Sequence, residues 1–435
     1  MKKRDLLRLL MAVPFAYSQG LQKAHRSLSG HETISPEDFS DLIPQIPSCA
    51  LNCLTTLIND TSCTFGDLPC MCGDEQYFNA GTVCVREHCM MSEALATMNL
   101  TQTACGRPKR DISGQYTSMN IASGVVTIIL VLVRLFFKRY LSDNGQIGPD
   151  DWVIFVAIII SVPAIVINQV GLVGHGIGKD IWTLPAPELP LFAKFFFIGE
   201  IFYFVQMSLV KLSLSLFYLY VFPGPNIRRL LIGTAIFNVV FGVVFVITAM
   251  TQCIPLDYYW AQYYDHPPEG RCFNLNGFAW ANAGLGLAVD VWMIILPLIQ
   301  IKRLNLHWKK KIGVVVMFIL GTFVSIISLL RLKSVIFFAE LINPTWDQEN
   351  VAWWSTMEVN IGIICTCLPT VRLILQRMFP KILSSGDEQS NDTRVFRAGG
   401  TSSGEETQQT TFPVELLSTT TLATDARSSY KHFDP

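Results

Sequence analysis

Seven apolar stretches recur along the chain, at about 117–137, 151–173, 191–222, 228–251, 277–300, 312–338 and 352–375. Each approaches or exceeds the roughly 20 residues that an α-helix needs to cross the hydrocarbon core of a bilayer. Unpaired backbone groups are too costly in lipid for an irregular chain, so the pattern predicts seven transmembrane helices. The third and sixth stretches are long enough to tilt or to project past the hydrocarbon. Ahead of this block lies a segment of mixed polarity dense in cysteine. Behind it, from about Ser384, runs such as "GGTSSGEETQQTT" cannot build a core and predict a disordered tail.

Charge gives these helices a direction. Lys138 and Arg139 follow the first span, Arg228 and Arg229 the third, Lys302, Arg303, Lys309, Lys310 and Lys311 the fifth, and Arg372, Arg377 and Lys381 the seventh. The intervening loops hold only Lys179 and Arg271. Positive residues concentrate in short cytoplasmic loops, which predicts an extracellular N-terminus and a cytosolic C-terminus in a multi-pass plasma-membrane protein. The opening "MKKRDLLRLLMAVPFAYSQG" has a basic front, an apolar stretch and small residues at Ala16 and Ser18, as a cleaved signal peptide would. The chain therefore divides into a signal peptide (1–18), a linker (19–46), a cysteine-rich module (47–110), a seven-helix domain (117–380) and a cytosolic tail (381–435). Half of the 435 residues are hydrophobic and only 15% are charged, so the main contact expected is membrane lipid. A formal net charge of −1, with basic residues in small groups, leaves no footprint for nucleic acid.

Cysteine usage agrees with export. Eight of the twelve cysteines are Cys49, Cys53, Cys63, Cys70, Cys72, Cys84, Cys89 and Cys105, a density that marks an oxidising compartment. Eight cysteines admit many pairings and spacing alone does not choose. Helical geometry narrows them, because Cys49 and Cys53 are one turn apart, as nearly are Cys84 and Cys89. Two such helices side by side could share a double staple, leaving Cys63 for Cys70 and Cys72 for Cys105. Cys253 and Cys272 flank the second outer loop and are expected to pair, while Cys365 and Cys367 read as small packing residues. Asn59-Asp60-Thr61 and Asn99-Leu100-Thr101 are glycosylation acceptors in the exported segment.

The segment from Pro47 to Cys105, "IPSCALNCLTTLIND…" through "CTFGDLPCMCGDEQYF", resembles a CFEM domain, the eight-cysteine fungal extracellular module, in its spacing and its Pro-x-Cys-Ala start. The resemblance implies a small helical basket. In members that bind haem, an aspartate three residues before the fourth cysteine is the axial iron ligand, and Asp67 in "GDLPCMC" matches it. A carboxylate is a hard donor that favours ferric iron. Phe65, Leu68, Met71, Tyr77 and Phe78 could line a flat apolar platform for the porphyrin. The plainer reading is that Asp67 caps a turn in a disulfide-rich loop.

The stretches "GHGIGKDIW", "LVKLSLSLFYLYVF", "TQCIPLDYYW" with "GRC", and "WWSTMEVNIGIICTCLP" resemble the fungal rhodopsin-like seven-helix domain found behind CFEM modules. Together the resemblances imply an all-α protein, with a small disulfide-rich helical extracellular module ahead of a seven-helix transmembrane bundle. They also imply a receptor-like role in sensing host, surface or chemical cues, with a part in virulence and contacts to host proteins and cytosolic signalling proteins. The alternatives are a haem or iron acquisition protein and a membrane-anchored adhesion or effector protein. Glu200, Lys211, Asp290, Arg331 and Glu358 fall inside the spans, where ionisable groups are costly. Lys211 with Asp290 or Glu358 could line a ligand cavity, or could only neutralise charge and fix packing. Arg134 is expected to snorkel to the polar boundary, and "GHGIGKD" to be a flexible loop. The last span has no lysine for retinal, and neither HExxH nor GxSxG occurs, so no enzyme is expected.

Overall fold

The computed structural model describes residues 43–58, 68–141, 147–222, 224–303, 308–337 and 343–378. The N-terminal module is built from α1 (Ser48–Ile58), α2 (Leu68–Gly73), α3 (Glu75–His88) and α4 (Met91–Ala104). Asp74 starts α3 by accepting hydrogen bonds from the amides of Gln76 and Tyr77, satisfying N–H groups that the first turn leaves unpaired. Disulfides Cys49–Cys89 and Cys53–Cys84 staple α1 to α3, and Cys72–Cys105 ties α2 to the end of α4. Cys70 is also oxidised; Cys63, Asn59, Phe65 and Asp67 lie outside the described residues. The core holds Ala50, Leu54, Met71, Tyr77 and Val85, and Ile46, ahead of the first cysteine, joins it. A core this small leaves much of the stability to the crosslinks.

The membrane domain follows as α5 (Ser113–Phe136), α6 (Pro149–Val166), α7 (Glu188–Val221), α8 (Pro225–Met250), α10 (Leu275–Arg303), α11 (Trp308–Phe337) and α12 (Pro344–Met378). Among the described residues six helices are long and apolar enough to cross a membrane, and α11 occupies the place of the sixth predicted span. α12 begins eight residues before the predicted span. Pro344 opens it, where its missing N–H is no loss, and the polar turn "TWDQEN" is helical although it carries no apolar signal. Long α7 lies at the centre, packed against α6, α8 and α12. Between α8 and α10, β1 (Cys253–Ile254) pairs antiparallel with β2 (Arg271–Cys272) around the short α9 (Tyr258–Ala261), and Cys253 is bonded to Cys272.

The module rests on one end of the bundle, called the module end below. Leu95 and Met98 of α4 pack with Ile181 and Leu189, and the Ser92 amide donates to Asp265 Oδ1 at 2.7 Å.

Two expectations are overturned. Arg134 does not snorkel: it is 1% exposed, with Nη2 2.5 Å from Asp150 Oδ2, Nε 2.8 Å from Asp151 Oδ1, and a further hydrogen bond to the Thr366 carbonyl. Lys138 adds a contact to Asp151 at 2.6 Å. The carboxylates of "GPDD" at the start of α6 favour its positive helix end and neutralise both cations there, so neither side chain has to reach water. The "GHGIGKDIW" loop is not loose either. Ile177 and Asp180 are fully buried, the Gly178 amide donates to the Thr345 carbonyl, and the Gly178 carbonyl accepts from the Ile112 amide, both at 2.9 Å. Gly176 and Gly178 adopt φ of 105° and 75°, which only glycine takes without strain, so the sequence that suggested looseness specifies one tight path.

Candidate functional site

Four helices bring charge together in the middle of the bundle. Lys211 on α7 places Nζ 2.8 Å from Asp290 Oδ1 on α10 and donates to the Gly286 carbonyl at 2.8 Å. Arg331 on α11 faces Glu358 on α12 at 3.5 Å. Ser328 links the two pairs, its hydroxyl 2.8 Å from Asp290 Oδ2 and 2.6 Å from Glu358 Oε1. Tyr203 of α7 donates to Glu358 Oε2 at 2.8 Å, while Arg331 donates to the Tyr203 oxygen at 2.5 Å and to Ser355 Oγ at 3.1 Å. Two cations meet two anions, and each ion has a hydrogen-bonded or paired neighbour in a low-dielectric setting. Removing one member would strand its partner at a cost of about 3–5 kcal/mol. Because Ser328 is shared by both acids, a shift of one helix changes partners across the set. Glu200 stands outside it, one turn from Tyr203, with Gln252 Nε2 3.4 Å from its Oε2.

Sequence reasoning singled out the five ionisable residues but paired Lys211 with either acid. It missed Tyr203 and Ser328, since a hydroxyl in an apolar span gives no signal of its own.

A second polar junction joins the module to the bundle. Asp180, 0% exposed, accepts from the Arg110 backbone amide at 2.9 Å, from Arg110 Nη2 at 2.5 Å and from Asn343 Nδ2 at 2.9 Å. The Asn343 side chain also accepts from the Ile181 amide at 2.9 Å. The Arg110 guanidinium lies 4.0 Å over the Trp346 ring. Three segments distant in sequence thus close on one carboxylate: the strand leaving the module, the first outer loop and the start of α12. Next to it the Ser113 hydroxyl, donated at 2.6 Å, holds the exposed Asp111 carboxyl below the usual carboxylate range. Asp180 and Ile181 lie in the "GHGIGKDIW" stretch, but nothing in the sequence pairs that stretch with Arg110 or Asn343, so the junction was not legible beforehand.

Within the module, Met71, Tyr77, Phe78, Val85, Met98 and Ala104 line an apolar pocket between the helices. Its polar side chains turn away to backbone carbonyls: Tyr77 donates to Leu54, Thr82 to Phe78 and Thr97 to Glu93. Burial pushes the Tyr77 phenol up. Leu68 opens α2, whose Met71 and Cys72 form part of this lining. Sulfurs cluster with His88 and with Glu93, but they are those of Cys53, Cys84, Cys49 and Cys89, all disulfide-bonded, so they offer no thiolate to a metal. Asn99 is exposed on α4, its Oδ1 3.4 Å from the Thr103 hydroxyl.

Comparison with known proteins gives a match to the fungal rhodopsin domain over residues 133–377, more than half of the chain, preceded by a CFEM domain at 42–106. The chain belongs to the fungal rhodopsin domain family. The CFEM match takes in the 3-10 turn Ile43–Gln45 and Ile46, which packs into the module core. The chain is 30% identical over 210 residues to a SAT4 family membrane protein of Emericella nidulans, covering 48% of this chain and 52% of that protein. It is 25% identical over 219 residues to Receptor GIN3 of Arthrobotrys oligospora, covering 50% and 52%. With the Wortmanamides biosynthesis cluster protein C of Talaromyces wortmannii it shares 26% over 254 residues, covering 57% and 67%. The chain thus spans about half the length of the first two of these relatives. No solved structure matches it. As a fungal rhodopsin domain protein with a CFEM domain, it is a multi-pass membrane protein in contact with lipid.

Proposed function

We propose that this protein is a plasma-membrane receptor whose CFEM domain, outside the cell, captures a chemical or surface cue and biases the seven-helix domain, with a role in host interaction. It is read as a non-enzymatic protein whose tail and basic inner loops face cytosolic signalling partners. The observation that carries this reading is the junction at Asp180. The segment leaving the CFEM domain is bonded through Asp180 to Asn343, the residue before α12, and its Arg110 lies over Trp346 of α12, the helix that carries Glu358 of the buried charge network. Displacement of the domain on binding would act on a helix that shares ions with three others, as an allosteric element requires. The bias of Lys and Arg between alternate loops supports an extracellular N-terminus and a cytosolic C-terminus. Disulfides in the CFEM domain and between Cys253 and Cys272 lie at that same module end.

Rescue of a deletion strain tests the reading. The full chain should restore its response to the cue, and Asp180→Asn at equal surface level should not. A CFEM domain carried on an unrelated single-span anchor should also fail. Rescue by that anchored domain would refute the receptor reading and favour adhesion. Protease applied to intact cells should remove the CFEM domain while sparing an epitope placed after Ser384; the reverse would refute the orientation.

Haem capture is a second reading, supported by the apolar lining that Met71, Tyr77 and Phe78 give the pocket of the CFEM domain. Asp67 would supply the iron ligand, while Met71, Tyr77 and Phe78 would hold the ring. When bound, the haem would supply a ferric centre sensitive to reduction.

A further inference from the structure

One buried acid in the bundle has no partner. Glu349, in the second turn of α12, is 3% exposed and makes no hydrogen bond or ion pair among the described residues, its Oε2 being fully enclosed. Tyr116, at the start of α5, is 0% exposed, and its hydroxyl is also enclosed without a partner of good geometry, although Thr356 lies beside it. Trp353 connects the two. Trp353, one helical turn after Glu349, has its ring centroid 6.5 Å from that of Tyr116. Phe192 and Phe195 of α7 pack into the same cluster.

This is the reverse of the charge network, where every ion is matched. An ionised Glu349 would be a buried carboxylate, one helical turn from Trp353, with no counter-ion among the described residues. Such an unpaired charge costs a few kcal/mol or more, and a glutamine or leucine would avoid it. A group from outside the chain completes the site. A metal ion of the calcium or magnesium type would call for about six oxygen ligands, and the cluster offers one carboxylate, a phenol and a threonine. An alkylammonium group needs less: one carboxylate for its charge and aromatic faces for its methyl or methylene groups.

We propose that Glu349, Tyr116 and Trp353 form a binding site for a small organic cation, a primary or quaternary amine, at the module end of the bundle. The site lies one turn below the Thr345 carbonyl that anchors the first outer loop. It stands independently of the CFEM ligand and of the receptor reading.

Thermal unfolding of the full chain in detergent tests it, with methylammonium, ethanolammonium and choline chlorides compared with sodium chloride at equal ionic strength. At least one organic cation should raise the unfolding temperature saturably where sodium does not. Glu349→Gln should abolish the rise. Because that change removes an unpartnered charge and keeps the shape, the variant by itself should unfold no earlier than wild type, which separates lost binding from misfolding. Trp353→Leu should weaken the cation by at least about tenfold, the equivalent of a desolvated cation–π contact. No rise with any of the three cations, as a site filled only by water would give, overturns the proposal. So does a rise that sodium matches, or one that Glu349→Gln retains.

Discussion

Removing Arg110 should loosen the junction between CFEM domain and bundle far more than removing the charge of its partner. Asp180 is fully buried, whereas the Arg110 side chain is 44% exposed. Arg110→Ala leaves the carboxylate enclosed with only the Arg110 amide and Asn343 as donors. Breaking a buried pair this way costs about 3–5 kcal/mol, and the Trp346 contact is lost as well. Asp180→Asn leaves a guanidinium that can turn to water and an amide that still accepts hydrogen bonds, so the loss is that of charge-assisted bonds, about 1–3 kcal/mol. The double variant should therefore be more stable than Arg110→Ala alone, a non-additivity expected only if the two groups act as one unit. Amide exchange at Ile112 and Ile181, whose N–H groups are bonded across the junction, reports the opening locally. At about 1.4 kcal/mol per decade, exchange should accelerate roughly a hundredfold or more in Arg110→Ala, and about tenfold to a hundredfold in Asp180→Asn. Exchange in Arg110→Ala within threefold of wild type, or a double variant no slower than Arg110→Ala, would refute the assignment of Asp180 as a buried charge held by Arg110.

Four further outcomes follow from the same structure. Arg331→Met alone should strand Glu358 and lower the yield of folded protein, whereas Lys211→Met with Asp290→Leu removes a matched pair and should fold better than Lys211→Met, as read by size-exclusion profiles in detergent. Arg134→Leu should lose about 3–5 kcal/mol by leaving Asp150 and Asp151 dependent on Lys138, a loss that a side chain merely reaching for the membrane surface would not show in unfolding assays. Cys253→Ser should free Cys272 to thiol reagents and destabilise the hairpin by about 2–4 kcal/mol; non-reducing peptide maps of wild type should join the two. If Asp67 holds haem iron, the ectodomain should bind ferric haem in a form that weakens on reduction, Asp67→Ala should abolish binding and Asp67→His should extend it to ferrous haem. Equal haem affinity in wild type and Asp67→Ala would refute that ligand.

Periodicity, length and cysteine spacing by themselves determined the class of this protein. Runs of apolar residues as long as a bilayer is thick have few solutions other than helices, because lipid provides no partner for the backbone, and α5 to α8 lie where the runs lie. Cysteines one turn apart announced two stapled helices for a similarly local reason, since helical geometry fixes which side chains share a face. Tertiary structure decided what each polar residue does. Arg134 looked like a residue reaching for water because its acids lie across a loop, in the first turn of another helix, and the glycines before Asp180 looked like slack until their positive φ values set a single buried path. Glu200, Glu349 and Glu358 are the same residue type in the same kind of helix, yet one meets an amide, one has no partner among the described residues and one meets an arginine, a tyrosine and a serine. A charge in a membrane is costly wherever it stands; only the neighbours supplied by distant helices settle whether that cost is met within the chain or by something that binds to it.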